Sequence, residues 1–381
     1  MAKDDILVSD LMQLSDDTFE LYASADAKAA QTPEFSVKLL RAPNAANAAP
    51  KNGLNGKVIV LDPGHFGGAY AKVEDRIIQA DMPDGTAADF NEGTLNMATA
   101  LHLKELLSKA GATVHLTKDA VGKGAISASF EEWKNGPEFL AAVEKKIEKI
   151  ADSAKRQAAR DWWLKESTDL EKFRMLYNSL DIEERVKVIS QLKPDLTLFI
   201  HYNAGSTKDP VSGKNILTKE NYCMAFVGGS YMKGELATPE SRQNFVKQLF
   251  GDSLDESAKV SSLIVKELVT GLGINPVSEH NEIAQELYLK KSCVKICDGV
   301  YARNMSSTQK VPGVVCYAEP LCQDNETMCR VLNDKSHKIG GLNTSPYVTQ
   351  VAQAYYNGIS KYFGVVEAPK SPLKAEPEHS H

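Results

Sequence analysis

The sequence lacks the features that mark several large classes of protein. No apolar run approaches the ~20 residues needed to span a bilayer, so no transmembrane segment is predicted. Cysteine is scarce, with six in 381 residues, which excludes a disulfide-rich scaffold. The basic excess typical of nucleic-acid binding is missing, because 44 Lys and Arg stand against 50 Asp and Glu. The N-terminal stretch MAKDDILVSDLMQL has no basic region followed by an apolar one, so this chain shows no secretory signal.

The overall composition is that of an ordinary globular protein, with 43% hydrophobic and 25% charged residues. The length suits two or three domains, or one large domain with insertions. We predict an N-terminal segment and linker over 1–55, a large domain over 56–366 and a disordered tail over 367–381. A run rich in Ala, Asn, Pro and Gly indicates the linker, and a run of Pro, Glu, Lys and His indicates the tail.

Strand and helix patterns alternate through the large domain. Short apolar runs predict buried strands at KVIVLD (57–62), TVHLT (113–117), DLTLFI (195–200) and GVVCYA (313–318). Apolar residues at helical spacing predict helices between them, the first over 91–110. The alternation favours the α/β class, with a mainly parallel twisted sheet and helices on both faces.

The stretch at about 120–182 departs from this alternation. It is charged and helical in pattern, and it contains all three tryptophans of the chain, Trp133, Trp162 and Trp163. Connections in compact α/β domains are usually ~2–6 residues long, so a segment of this size is predicted to be a helical insertion. Two roles are open: a cap that stabilises the side of the sheet, or a wall over the functional site that limits access to it.

Four residues able to bind or activate a metal fall where strands or connections end. His65 comes just after the first strand of the large domain, and Glu92 begins the helix after a long loop. His201 and Glu319 directly follow two other predicted strands. Ligands of open α/β sheets bind beyond the carboxyl ends of the strands, so these side chains are expected to converge. Two imidazoles and a carboxylate suit a zinc site with a free position for water, and a second carboxylate can act as its base.

These segments resemble the zinc-dependent N-acetylmuramoyl-L-alanine amidases, the amidase type 3 family of cell-wall hydrolases. KVIVLDPGHFGG is similar to the opening signature of the family, and NEGTLNMATALHLKELLSKAGATVHLTK to its Glu-led helix and next strand. DLTLFIHYNA resembles the segment with the second His, VPGVVCYAEPLCQDN the strand with the catalytic Glu, and VAQAYYNGISKYF the closing helix. The order of the motifs is kept across residues 56–364.

The resemblance implies roles for individual residues. His65, Glu92 and His201 match the zinc ligands of the family, and Glu319 matches its catalytic carboxylate. The implied activity is hydrolysis of the amide bond between N-acetylmuramic acid and L-alanine of the peptidoglycan stem peptide, with a zinc-activated water and Glu319 as general base.

Two further residues and three departures qualify the resemblance. Asn203 matches a residue that supports the ligands, and Arg303 an arginine that helps to bind a substrate carboxylate, although local hydrogen bonding explains either one equally well. The loop 66–91 is longer than the family's usual loop, Lys118 stands in place of an arginine, and Pro320 follows the catalytic Glu in place of glycine. The insertion also has no family counterpart of its size.

Two other functions are left open by the residues. One is a zinc peptidase or amidase that acts on free peptides, and the other is a non-catalytic module of the same fold that binds the cell wall. Because peptidoglycan lies outside the cytoplasmic membrane, we expect a periplasmic, cell-surface or secreted protein whose leader is absent from this chain. Peptidoglycan is the expected partner, an activator protein is left open, and no nucleic acid is expected.

Overall fold

The structure is a computed structural model that describes residues 8–15, 18–38, 53–205, 207–250 and 253–365. Near the N-terminus, three antiparallel strands and one helix form a small unit: β1 (Met12–Leu14), β2 (Thr18–Leu21), α1 (Ala25–Ala29) and β3 (Phe35–Lys38). Most of the predicted linker and the whole predicted tail lie outside the described residues. The predicted domain boundaries therefore stay predictions.

The large domain alternates strands and helices. Its first part contains β4 (Val58–Pro63), α2 (Ala71–Glu74), β5 (Ile77–Asp81), β6 (Ala87–Asn91), α3 (Glu92–Lys109) and β7 (Thr113–Leu116). The insertion follows, with α4 (Phe130–Lys134), α5 (Pro137–Ile147), α6 (Ser153–Asp161), α7 (Asp169–Lys172) and α8 (Asn178–Leu192). The last part contains β8 (Leu196–Ile200), β9 (Met224–Val227), α9 (Pro239–Phe250), α10 (Ser253–Leu272), α11 (Glu282–Ala284), α12 (Lys290–Ser292), β10 (Cys293–Cys297), β11 (Val300–Arg303), α13 (Ser306–Lys310), β12 (Val315–Glu319), α14 (Glu326–Leu332), β13 (His337–Ile339), β14 (Leu342–Thr344) and α15 (Tyr347–Tyr362). Across the described ranges, no helix has both the length and the apolar character needed to cross a membrane.

Seven strands form the central sheet, in the spatial order β10-β11-β9-β12-β8-β4-β7. The four strands β12, β8, β4 and β7 run parallel to one another, whereas β9 and β11 run in the opposite direction. This mostly parallel sheet with surrounding helices confirms the predicted α/β class. Because β4, β8 and β12 are parallel neighbours, their carboxyl ends lie at one edge of the sheet.

Helices cover both faces of the sheet because successive side chains of a buried strand point to opposite sides. One face carries Leu61 and Leu198, which belong to a core shared with α3, α10 and α15. The other face carries Val60, Phe199 and Val315, which pack with residues of α8. Both faces of the sheet are therefore buried, which explains why the strands are continuous apolar runs in the sequence.

The insertion, which in the structure runs through helices α4–α8 to Leu192 and so ends later than the predicted boundary near 182, packs around an aromatic core. Two π-helical turns, Trp162–Glu166 and Phe173–Tyr177, join its helices. Trp163 is buried in this core, and the ring of Trp162 lies edge-on to it at a centroid distance of 4.8 Å. The other large buried aromatic residues that the insertion contributes to this core are Phe130, Trp133, Phe139, Phe173 and Tyr177. The tryptophans thus serve packing, and both roles considered for the insertion, a cap on the sheet and a wall over the site, stay predictions.

The long loop between His65 and Glu92 contains regular structure. Its strands β5 and β6 form an antiparallel hairpin in which Ile77 lies opposite Asn91. The amide of Glu92 donates a hydrogen bond to the carbonyl of Arg76, at 3.2 Å. The hairpin therefore returns the chain to the sheet edge and delivers the first turn of α3 to the candidate site.

Candidate metal centre

The turn after β4 is set by close contact with His201. The amide of Gly64 donates to the carbonyl of Ile200 at 2.9 Å. A Cβ atom on Gly64 would lie 2.2 Å from atoms of the His201 ring, so only glycine fits here. His65 then adopts a left-handed backbone conformation, with φ of 56°. Such a conformation costs a residue other than glycine free energy, and surrounding contacts must hold it in place.

Glu92 enters the site as the first residue of α3. The side chain of Asn91 caps this helix by accepting the amide of Thr94 at 2.9 Å. The Glu92 side chain is 4% exposed and lies between the two imidazoles. Its Oε2 is 3.4 Å from Nε2 of His65, and its Oε1 is 3.1 Å from Nδ1 of His201.

The structure thus brings together the three residues predicted as ligands. One ligand atom from each of His65, Glu92 and His201 lies within 4.8 Å of the other two. Within the described ranges, these residues form the only group of three or more His, Cys, Asp or Glu side chains that lie close enough together to hold one metal ion. Two imidazoles and one carboxylate are a donor set that zinc accepts, and they leave a coordination position for another molecule.

Glu74 supports His65 from the side away from Glu92, and the sequence did not reveal it. Its Oε1 lies 3.3 Å from Nδ1 of His65, and its Oε2 accepts the amide of Phe66 at 2.8 Å. Burial alone would raise the pKa of Glu74, but the contact with His65 and the charge of Lys118 lower it. A carboxylate bound to Nδ1 fixes the tautomer of the ring and leaves Nε2 available for a metal.

Gln323 and Tyr317 support the other two members of the cluster. Nε2 of the buried Gln323 donates to Oε2 of Glu92 at 3.3 Å and to the carbonyl of Tyr202 at 2.9 Å. The ring of Tyr317 stacks on the imidazole of His201 at a centroid distance of 4.4 Å. Both residues lie within four positions of Glu319, but only the folded chain shows what they contact.

The charges of the cluster suit a cation. Burial lowers the pKa of His201 to about 4, against the opposing effect of Glu92. Burial would raise the pKa of Glu92, but His65 and His201 outweigh it and hold that pKa well below its ordinary value. His201 is therefore neutral and Glu92 ionised at neutral pH, which are the forms that bind metals.

Glu319 ends β12 beside the cluster. The amide of His201 donates to the carbonyl of Ala318 at 3.1 Å, so the two strand ends are adjacent. Burial and the charge of Glu92 raise the pKa of Glu319 well above its ordinary value, although Arg76 and Arg303 oppose this. Its Oε2 is buried and has no hydrogen-bond partner among the described residues. A buried carboxylate oxygen of this kind, next to a candidate metal-binding cluster, is suited to accept a proton.

The two remaining predicted residues lie outside the cluster. Oδ1 of Asn203 accepts the amide of its neighbour Ala204 at 2.8 Å, and its Nδ2 lies 3.4 Å from the hydroxyl of Tyr222. Arg303 ends β11, which runs opposite to β12, so its backbone lies at the other edge of the sheet. Its guanidinium lies over the ring of Phe226 at 5.3 Å. The supporting role of Asn203 and the substrate-binding role of Arg303 stay predictions.

A family model described as N-acetylmuramoyl-L-alanine amidase matches residues 59–361, about four-fifths of the chain. The chain belongs to the N-acetylmuramoyl-L-alanine amidase family. This membership confirms the predicted family, and with it the prediction of an amidase that acts on peptidoglycan. A comparison with curated proteins finds no match.

Several solved amidase structures are similar to this chain at low sequence identity. CwlD from Clostridioides difficile, in complex with the GerS lipoprotein, is 17% identical over 82% of this chain and 100% of its own, with a TM-score of 0.42. Ami1 from Mycobacterium smegmatis is 13% identical over 82% of this chain and 99% of its own, with a TM-score of 0.41. The CwlV catalytic domain from Bacillus (Paenibacillus) polymyxa is 14% identical over 81% of this chain and 99% of its own, with a TM-score of 0.38.

Replacing Gly64 by alanine tests the packing that places His201. The added Cβ would overlap the ring of His201, which is held by Glu92 and Tyr317, so the ring has to move. We expect Zn²⁺ binding, measured by titration calorimetry, to weaken by about 10-fold or more. Gly271→Ala is the matched control, because its Cβ would lie at an ordinary 3.7 Å from Ala354. Equal Zn²⁺ affinity of Gly64→Ala and the wild type would contradict this account of the turn.

Proposed function

We propose that this amidase is zinc-dependent and cleaves the amide bond between N-acetylmuramic acid and L-alanine of the stem peptide. The observation that carries the proposal is the convergence of His65, Glu92 and His201 at one sheet edge, in a chain of the amidase family. These three residues would hold the ion. A bound zinc ion supplies Lewis acidity, which polarises an amide carbonyl and lowers the pKa of water to about 7.

Glu319 is the proton carrier of the proposed reaction. It takes a proton from the attacking water, and it then gives this proton to the nitrogen of L-alanine as the amide bond breaks. The second transfer is needed because an amide anion is a very poor leaving group. A pKa raised by burial suits both steps, since the same group must accept a proton and keep it until the bond breaks.

Positive charge at the site edge suits an anionic substrate. Arg76 is exposed at the start of the β5–β6 hairpin, and its charge lowers the pKa of both Glu92 and Glu319. A peptide carboxylate that approaches the site therefore meets Arg76 at the rim. Arg303 remains a second candidate for this contact through its long side chain, which also influences Glu319.

The proposed location follows from the substrate. Peptidoglycan lies outside the cytoplasmic membrane, so the enzyme would act in the periplasm, at the cell surface or as a secreted protein. An activator protein stays a prediction for this chain. The presence of all three candidate ligands and of Glu319 favours catalysis over a module that only binds the wall.

Product analysis on intact sacculi tests the bond that is cut. We expect mass spectrometry to show released stem peptides with a free L-alanine amino group and glycan strands with free lactyl carboxylates. A chelator should abolish product formation and added Zn²⁺ should restore it, because the donor set is neutral imidazole and carboxylate. Cleavage within free peptides instead would favour the zinc peptidase, and binding to sacculi without products would favour the non-catalytic module.

Glu319→Gln tests the proton carrier separately from the metal. The amide cannot accept the proton of water, so we expect kcat on sacculi to fall by ~10²-fold or more. Zinc content should stay at one ion per chain, because Glu319 is not among the three proposed ligands. Glu148→Gln, which changes an exposed carboxylate of the insertion, is the matched control and should leave kcat unchanged. A fully active Glu319→Gln enzyme with normal zinc content would exclude this role.

A further inference from the structure

Two parts of this chain that depart from the family pattern meet behind His65. One is the long loop 66–91, and the other is the insertion. We infer that the insertion positions His65 for metal binding, because it fixes Phe66, the next residue in the chain, and Glu74, which contacts the imidazole. The inference rests on the proposed metal site, and it assigns to the insertion a role other than covering the substrate.

The first contact is made by Phe66, the residue directly after His65. Its side chain is 1% exposed and belongs to the aromatic core of the insertion. Its ring centroid lies 5.1 Å from that of Phe173 and 5.6 Å from that of Tyr177. Its carbonyl accepts the amide of Gly122 at 2.8 Å, at the start of the inserted segment. The chain on one side of His65 is therefore anchored in the insertion.

The second contact runs through Glu74. Nη2 of Arg174, in the insertion, donates to the backbone carbonyl of Glu74 at 2.8 Å. The same guanidinium lies 3.3 Å from Asp75, the residue directly after α2, which caps this helix in a left-handed conformation with φ of 58°. The carboxylate of Glu74 in turn contacts Nδ1 of His65 and the amide of Phe66. Arg174 thus holds the short helix that presents Glu74 to the imidazole.

Buried charges attach the two ends of the insertion to β4. Lys118, just before the insertion, donates to the carbonyl of His65. Arg185, in α8, lies between two buried carboxylates, 2.9 Å from Asp62 of β4 and 2.8 Å from Asp181 of α8. A buried ion pair is stabilising only with well-formed contacts, so these groups fix the position of α8 against the strand that leads to His65.

These contacts explain how a strained ligand residue is kept in place. The left-handed backbone of His65 persists only where its surroundings hold it, and Phe66, Glu74 and Lys118 are those surroundings. Residues that orient a metal ligand typically change metal affinity by ~10–100-fold when they are replaced. An insertion that only covered the groove would change access of the substrate and leave the affinity for the ion unchanged.

A matched pair of arginine variants tests the inference in the full chain. Arg174→Met removes the contact with Glu74, whereas Arg160→Met removes an ion pair with Glu144 elsewhere in the insertion. The two side chains are 45% and 41% exposed, so both variants are expected to fold. With the Kd for Zn²⁺ measured by competition with a chromophoric chelator, we expect Arg174→Met to bind about 10-fold more weakly and Arg160→Met to stay within about twofold. Arg174→Lys, which keeps a donor, should recover part of the affinity.

A second pair tests the aromatic contact. Phe173→Leu removes the ring that contacts Phe66, whereas Phe139→Leu removes a ring of the same core that contacts Trp133. Both should lower the thermal unfolding temperature of the metal-free protein, but only Phe173→Leu should also weaken Zn²⁺ binding. If Phe173→Leu fails to fold, the arginine pair decides.

Three results would overturn the inference, and one would overturn the proposed function instead. Arg174→Met with wild-type affinity, or Arg160→Met with the same loss as Arg174→Met, would show that the insertion does not position His65. An equal loss of affinity in Phe139→Leu and Phe173→Leu would show only general destabilisation. A wild-type protein that binds no Zn²⁺ would contradict the metal site itself.

Discussion

The carboxylate of Glu92 lies between the imidazoles of His65 and His201, buried at the edge of the sheet. A buried carboxylate is costly unless it is paired and hydrogen-bonded. Here it contacts both imidazoles, the side chain of Gln323 and the amide of Tyr202. Glu92 and these partners therefore form one connected cluster. If either imidazole is displaced, the buried carboxylate loses one of its partners. In the proposed metal site, a divalent cation would bind among these donors.

The topology of the sheet brings the side chains of this cluster together. Since β4, β8 and β12 are parallel neighbours, the residues that follow them are delivered to one edge within the width of three strands. Gly64 allows the turn after β4 to approach His201, and α3 starts at the same edge because the β5–β6 hairpin returns the chain there. The carboxylate proposed as proton carrier reaches the same edge, because Glu319 is the last residue of β12.

The convergence of the candidate ligand residues could be predicted because their signals are local. A short apolar strand followed at once by His or Glu is visible in the sequence, and the order of these motifs also carries the family resemblance. Glu74 and Gln323 could not be found this way, since only tertiary contacts distinguish them from other polar residues. The position of Arg303 could not be predicted either, because the pattern of a strand in the sequence does not show in which direction that strand runs in the sheet. The docking of the insertion on Phe66 likewise depends on Phe173 and Tyr177, which follow it by more than 100 positions in the sequence.

The central claim is that His65, Glu92 and His201 bind one zinc ion. A crystal structure of the zinc-loaded protein, with anomalous data at the zinc absorption edge, tests it most directly. The account predicts one strong anomalous peak within about 2.0–2.2 Å of a nitrogen of His65, a nitrogen of His201 and an oxygen of Glu92. A peak bound elsewhere, or no peak in a fully folded protein, would contradict it.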